Sequence, residues 1–310
     1  MTEPGGGADI GTRRETAPRS LVVDAHVHAF PNEIIASRTT LVERDRWFAH
    51  LYVNPATRLS NADDLLASMA VAGVDHAVMC GFPWSDPGLC RTNNDWMATV
   101  SDASGGRLSW LGIVVPQHPS AANEAERCFA LGAAGIGELN ADGQGFDLTA
   151  NGPLRALVGT CVAAERPVML HATEPVGREY PGKGTATPDR LLRFLANHPD
   201  LDVVLAHWGG GLPFYELMPE VAALCRRVRY DTAASPYLYR HDILRVVTNL
   251  IGADRILWGS DFPVLGQQRF LRRTLETDLP ADALSSILSG STQSTYRLPI
   301  SARILEGRGA

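Results

Sequence analysis

The sequence has few cysteines, no long apolar run and no excess of positive charge. Its five cysteines are widely spaced and include no CxxC pair, which argues against a disulfide framework or a zinc ribbon and favours the reducing cytoplasm. No stretch approaches about 18 consecutive apolar residues, so we expect no transmembrane helix. Lys and Arg total 28 against 34 Asp and Glu, and this acidic balance disfavours a nucleic acid as the partner. The expected partner is therefore a small-molecule substrate, with no membrane involved.

Two phosphate-binding motifs are also missing from the chain. No GxGxxG follows the first apolar run and no P-loop occurs, which removes the usual evidence for a dinucleotide-binding sheet. Residues 1–19 are rich in Gly, Pro and charge and lack the apolar core of a signal peptide, so we expect a flexible, disordered tail. No linker divides the rest of the chain, and residues 20–310 are predicted to form a single domain.

Short apolar runs alternate with longer amphipathic segments along the whole of that domain. Such near-continuous apolar runs are typical of parallel strands that are buried on both faces. The predicted strands are Leu21–His28, Val74–Gly81, Leu108–Val115, Gly135–Asn140, Pro167–His171, Leu201–His207, Val228–Asp231 and Arg255–Ser260. The predicted helices cover about 62–72, 91–103, 119–131, 151–164, 187–197, 212–226, 241–252 and 267–290. Eight strand–helix units favour an α/β fold of the (β/α)₈ TIM-barrel type over a doubly wound sheet.

The first strand carries polar residues at alternate positions. Asp24, His26 and His28 are two residues apart, so strict alternation places all three side chains on one face, which we expect to be the barrel lumen. Two neighbouring imidazoles can bind one metal ion, although a hydrogen-bonded histidine pair is the simpler alternative.

Other predicted strands also end in a metal-ligating residue type. In this fold the chemistry takes place at the carboxyl ends of the strands. The residues at or just past four further strand ends are Glu138, His171, His207 and Asp261. Imidazole and carboxylate together suit Zn²⁺, Fe²⁺ or Mn²⁺. The sequence therefore predicts a divalent-metal site, with zinc as the first expectation and one or two ions.

These motifs resemble the amidohydrolase superfamily, and within it the family known as amidohydrolase 2. The resemblance covers most of residues 21–298 and rests on Asp-Ala-His-Val-His at 24–28, His171, Ala-His-Trp-Gly-Gly-Gly at 206–211 and Trp-Gly-Ser-Asp-Phe-Pro at 258–263. It implies a metal-dependent barrel, often dimeric. The metal ligands that it implies are His26, His28, His171 and Asp261. It also implies that His207 either binds a second metal or stays unligated and polarises the substrate.

The residue at position 138 helps to distinguish the subgroups of this superfamily. Many superfamily hydrolases hold a second metal with a carboxylated lysine on strand four, whereas this chain has Gly-Glu-Leu at 137–139. That segment resembles the strand-four glutamate of TatD-like hydrolases, which binds metal, and it departs from the family's decarboxylases. Glu138 is thus expected either as a metal ligand or as a carboxylate that orients a ligand imidazole.

The sequence is compatible with four functions. The leading hypothesis is hydrolysis of an amide or lactone by a metal-activated water, with Asp261 accepting the water's proton and His207 polarising the carbonyl. The alternative is a non-oxidative decarboxylase of a small aromatic or unsaturated acid. A TatD-like nuclease is disfavoured by the acidic charge. A non-enzymatic metal-binding protein is disfavoured because structural metal sites are usually closed.

Loop residues near the strand ends are candidates for contacts with the substrate. The long loop at 172–184 has the composition of a lid. The candidates are Trp84, Arg178, Tyr180, Lys183, Trp208 and Tyr237. The alternative for the charged residues is a solvated loop, and for the aromatic ones it is packing at the barrel rim. His118, which follows the third strand, is a further side chain within reach of the site.

Overall fold

Eight parallel strands form a barrel in the order in which they occur in the chain. The computed structural model describes residues 21–298 and Ile300, so the predicted tail at 1–19 lies outside the described residues. Strands β1 to β8 are Val23–Val27, His76–Met79, Leu108–Gly112, Gly135–Leu139, Val168–Leu170, Val203–Leu205, Val228–Asp231 and Ile256–Leu257. Each strand pairs with the next one in parallel.

Backbone hydrogen bonds also join the last strand to the first. The amide of Ala25 donates to the carbonyl of Trp258 at 2.8 Å, and further along the amide of His28 donates to the carbonyl of Phe262 at 2.7 Å. The sheet is thereby nearly closed, and the predicted (β/α)₈ barrel is confirmed. All eight strands are found, but most are shorter than predicted because the residues at their ends belong to the loops.

Helices surround the barrel and also cap it. The α-helices α1 to α15 are Asn32–Ala36, Arg38–Arg44, Arg46–Tyr52, Ala62–Ala72, Pro87–Ala103, Ala121–Ala130, Ala141–Gln144, Asn151–Ala163, Pro188–Asn197, Pro219–Leu224, Ser235–Leu238, Ile243–Ile251, Gln267–Leu275, Ala281–Ser285 and Ser291–Tyr296. Short 3₁₀ segments lie at His207–Leu217, Cys225–Arg227 and Ala253–Arg255, and a π-helical turn lies at Ser286–Gly290. None of the helices in the described part of the chain is both long and apolar enough to cross a membrane.

Two predicted segments differ from the structure. The segment after β1, where the sequence predicts no helix before residue 62, forms α1, α2 and α3 and places aromatic side chains over the barrel. Of the helix expected at 212–226, only Pro219–Leu224 is α-helical. Residues 212–217 instead belong to the 3₁₀ segment His207–Leu217, which opens with left-handed backbone angles at Trp208, Gly209, Gly210 and Gly211.

Alternate residues along the strands belong to two different apolar cores. Val23, Ala25, Val78, Met169 and Leu257 belong to one buried cluster, which fills the barrel. The residues between them pack outward against the helices in a second, larger cluster. This arrangement is expected of a barrel in which interior and exterior positions alternate along each strand.

A β-bulge in β1 corrects the predicted position of Asp24. Asp24 pairs with Ala77 and Val27 pairs with Met79, so β1 has one more residue than β2 across this interval. The extra residue reverses the alternation. His26 consequently faces the site, while Asp24 lies on the helix side, where Ser260 and Gln267 donate to its carboxylate at 2.6 and 2.8 Å.

Candidate metal centre

Six side chains of the predicted metal site, called the donors from here on, come together at the carboxyl end of the barrel. They are His26, His28, Glu138, His171, His207 and Asp261. His26, His28 and Asp261 form one group. The Nε2 atoms of the two histidines are 3.0 Å apart, and Asp261 Oδ1 lies 3.7 Å from that of His26 and 3.5 Å from that of His28.

Glu138 lies between this group and a second group, which contains His171 and His207. Its Oε2 atom is 3.5 Å from His26 Nε2 and 3.6 Å from His28 Nε2. Its Oε1 atom accepts from His171 Nδ1 at 2.9 Å and is 3.4 Å from His207 Nε2. The two oxygens of one buried carboxylate thus face two different pairs of imidazoles.

The spacing of the first group fits a bound divalent ion. Ligand atoms about 2.1 Å from a metal lie roughly 3.0 Å apart in octahedral and roughly 3.4 Å apart in tetrahedral geometry. The separation of the two Nε2 atoms of His26 and His28, and the separations of each from Glu138 Oε2 and Asp261 Oδ1, run from 3.0 to 3.7 Å. Two imidazoles and two carboxylates are also ligand types that zinc, iron and manganese accept.

Unusual backbone conformations position two of these donors. His207 and Asp261 have φ angles of 56° and 63°, in the left-handed region that non-glycine residues rarely adopt. Gly259 precedes Asp261, and a Cβ atom there would lie 2.8 Å from the Cβ of His26. This glycine lets the end of β8 approach β1 closely, which brings Asp261 beside His26 and His28.

Opposite charges face each other throughout the cluster. Burial lowers the pKa of His207, but the hydrogen bond to Glu138 and the charges of Glu138 and Asp261 raise it to about 9. Burial likewise lowers the pKa of His26, while Asp231 and Glu138 hold it well above its usual range. Burial raises the pKa of Glu138, and the surrounding imidazoles lower it well below its usual range. A divalent cation can replace the protons that the metal-free cluster holds.

Asp231 is a functional candidate that the sequence analysis missed. It ends β7, is fully buried and bonds His26 Nδ1 through Oδ2 at 2.7 Å. The signal was present, because Asp231 is the last residue of the predicted strand Val228–Asp231. Without a paired motif around it, a strand-end aspartate was not distinguished from an ordinary loop start.

Five of the six donors, all except the fully buried His26, form the floor of a cavity of about 310 Å³ with mainly apolar walls. Trp47, Leu51 and Tyr52 from the helical insertion line one side. Among the predicted substrate contacts, Arg178, Tyr180 and Tyr237 line the cavity.

The 172–184 loop is fixed at several points around this opening. Arg178 Nη2 donates to the carbonyl of Tyr237 at 2.9 Å, which joins the loops that follow β5 and β7. The carbonyl of Gly182 lies 2.9 Å from His171 Nε2, and Thr185 is bonded to Asp142 at 2.7 and 2.9 Å.

Three predicted substrate contacts lie outside the cavity lining. Trp84 is fully buried, stacks on Phe48 at 5.2 Å and donates to Asn93, so its ring packs the barrel rim. Trp208 is also buried and donates to Ser235 at 2.8 Å. Lys183 points into a neighbouring surface groove, where its ammonium group contacts loop carbonyls and Glu179.

His118 also lies outside the cavity. It is exposed and bonds Ser120 at 2.8 Å, so the side chain does not reach the donors.

Solved structures of similar fold cover most of the chain. A 5-carboxyvanillate decarboxylase from Sphingomonas paucimobilis has a TM-score of 0.76 and 19% identity, over 90% of this chain and 100% of that one. A 2,6-dihydroxybenzoate decarboxylase from Rhizobium has a TM-score of 0.70 and 20% identity, over 90% and 99%. A dihydroxybenzoic acid decarboxylase from Polaromonas sp. JS666, solved with bound manganese, has a TM-score of 0.68 and 18% identity, over 91% and 98%.

Sequence comparison gives the family. No curated protein sequence matches this chain. The sequence profile of the amidohydrolases, however, matches residues 23–298, which is most of the chain and contains all six donors. The chain therefore belongs to the amidohydrolase family.

Proposed function

We propose that the protein is a divalent-metal-dependent decarboxylase of a small aromatic or unsaturated carboxylic acid. The observation that carries this proposal is the donor cluster on the floor of an apolar cavity. A volume of about 310 Å³ suits a single substituted ring, and the aromatic walls suit a flat one. The decarboxylases of similar fold support the same reaction class, and the one that contains manganese makes Mn²⁺ our first choice over zinc.

The roles of the chain's own residues follow from their positions. His26, His28 and Asp261 would hold the ion together with Glu138, and the ion would supply Lewis-acid chemistry at a substrate oxygen. Release of CO₂ leaves an electron pair on carbon, which must accept a proton. His207 and Asp261 line the cavity, so their side chains can deliver that proton.

The cavity walls would select the substrate and exclude water. Trp47, Tyr52 and Phe82 offer ring faces and edges to an apolar substrate. Arg178 is the only Arg or Lys among the cavity-lining residues in the described part of the chain, so it is our candidate for orienting an anionic substituent. Tyr180 and Tyr237 flank it and are the further proposed substrate contacts.

Hydrolysis of an amide or lactone is the second candidate, and one observation favours it. Glu138 places one oxygen near His26 and His28 and the other near His171 and His207. A carboxylate shared between two donor groups suits a pair of metal ions, for which zinc is a common choice. In that reaction Asp261 would accept the proton of the attacking water.

One experiment distinguishes the two reactions. Metal-free protein is loaded with Mn²⁺, Zn²⁺ or Fe²⁺, its metal content per chain is measured, and it is given carboxyl-¹³C-labelled aromatic acids or lactones and amides of similar size. We expect ¹³CO₂ release that depends on the ion and is absent from chelator-treated protein. Ring opening or amide cleavage without ¹³CO₂, with two ions per chain, would replace this proposal by hydrolysis.

A further inference from the structure

A single buried carboxylate contacts both groups of donors without belonging to either. Asp231 Oδ2 bonds His26 Nδ1 at 2.7 Å. Its Oδ1 accepts from the backbone amides of His207 at 2.9 Å and of Ala233 at 3.0 Å. Asp231 is fully buried, so these three bonds are not in competition with bulk water.

The first bond determines which nitrogen of His26 is free. A carboxylate oxygen is an acceptor, so the 2.7 Å contact with Asp231 Oδ2 places the proton on His26 Nδ1. In the neutral ring this leaves the lone pair on Nε2. That atom faces His28 Nε2 at 3.0 Å and the oxygens of Glu138 and Asp261 at 3.5 and 3.7 Å.

The second set of bonds holds the turn that carries His207. The left-handed φ of 56° at this residue has an energetic cost, which its surroundings must offset. Asp231 Oδ1 binds the amide of His207 itself. It also binds the amide of Ala233, whose carbonyl lies 3.2 Å from His207 Nδ1. The position of the imidazole is therefore coupled to the same carboxylate.

We propose that Asp231 is the positioning residue that sets the ligand-competent tautomer of His26 and the backbone of His207, and so controls metal affinity without touching the metal. The inference rests on the proposed metal centre. It goes further in assigning one residue to both donor groups, and in predicting that its two oxygens act separately.

The test is Mn²⁺ binding to the full-length, metal-free protein, measured by titration calorimetry on Asp231→Asn and Asp231→Ala. In Asp231→Asn the amide oxygen keeps the bonds to the backbone, while the NH₂ group now donates to His26 Nδ1 and forces the proton onto Nε2. We expect at least a tenfold loss of affinity with an unchanged fold, and a larger loss in Asp231→Ala. The matched control is Asp45→Asn, a buried aspartate that accepts from Phe48 and Ser85 amides away from the donors.

A second measurement does not depend on a variant. Nitrogen-15 NMR of the wild-type protein loaded with diamagnetic Zn²⁺ should show His26 protonated at Nδ1, and this test stands even if Asp231→Asn fails to fold. Wild-type affinity in a folded Asp231→Asn protein, or an unprotonated Nδ1, would overturn the role of Asp231. Wild-type protein that binds neither ion would instead overturn the metal centre itself.

Discussion

The metal-free protein should lose stability as the pH rises above 7, because two of its histidines, His26 and His207, are held in the protonated form. The pKa of His207 rises from 6.5 to about 9 in the folded chain. A folded-state pKa above the unfolded value stabilises the protein fully below pH 6.5, and this stabilisation is lost as the pH rises through 9. At about 1.4 kcal/mol per tenfold change in proton affinity, the full effect is roughly 3 kcal/mol.

About 2 kcal/mol of that total should disappear between pH 7 and 8.5. His26 adds to the same trend, since its pKa is also raised. His76 does not contribute in this window, because burial lowers its pKa to about 4 and the ring is neutral in both states. A loss of this size is large against a typical stability of about 5–15 kcal/mol.

The assay is urea denaturation of chelator-treated protein, followed by tryptophan fluorescence at several pH values. Glu138→Gln removes the charge that raises the pKa of His207, so the variant should lose most of the decline. Unfolded thiols begin to ionise near pH 8.5, but they do so equally in both proteins. Equal pH slopes for wild type and Glu138→Gln would refute this electrostatic description of the cluster.

Three further predictions concern single residues. Asp261→Asn should retain the fold and part of the bound metal, but it should reduce kcat by about 10³-fold in steady-state kinetics. A near-normal kcat would rule out the proposed role of Asp261. Trp84→Ala should lower the free energy of unfolding in urea by about 3–5 kcal/mol, because the ring is fully buried; a much smaller change would contradict core packing. Arg178→Met should raise KM about tenfold with little change in kcat, whereas the control Lys183→Met, outside the cavity, should change neither.

The fold and the donor cluster could be predicted because both depend on local patterns. Eight apolar runs with helical segments between them required a parallel sheet, and a polar residue that ends such a run is a strong signal. Glu138, His171, His207 and Asp261 carried that signal, and His26 and His28 were indicated by their alternation in the first strand. Asp231 also ends a predicted strand, but its role depends on contacts with His207 and His26, which lie 24 and 205 positions away in the chain.

Other features depend on backbone geometry or long-range packing that alternation does not encode. The bulge in β1 places Asp24 on the helix side, although it is two residues from His26. The indoles of Trp84 and Trp208 follow strand ends, as substrate contacts often do. Each is instead directed into the core by a hydrogen bond to a distant residue, Asn93 and Ser235 respectively. The cavity wall that α3 contributes could not be predicted, because the segment after β1 has no clear helical or strand periodicity in its apolar residues.

Anomalous scattering from crystals of the Mn²⁺-loaded protein will show whether the predicted donors form a divalent-metal centre. We predict a manganese peak enclosed by His26, His28 and Asp261 and next to Glu138. A second peak between Glu138, His171 and His207 would favour the hydrolytic candidate. A map with no peak among these residues, from crystals that contain the metal, would show that the six donors do not form a metal centre.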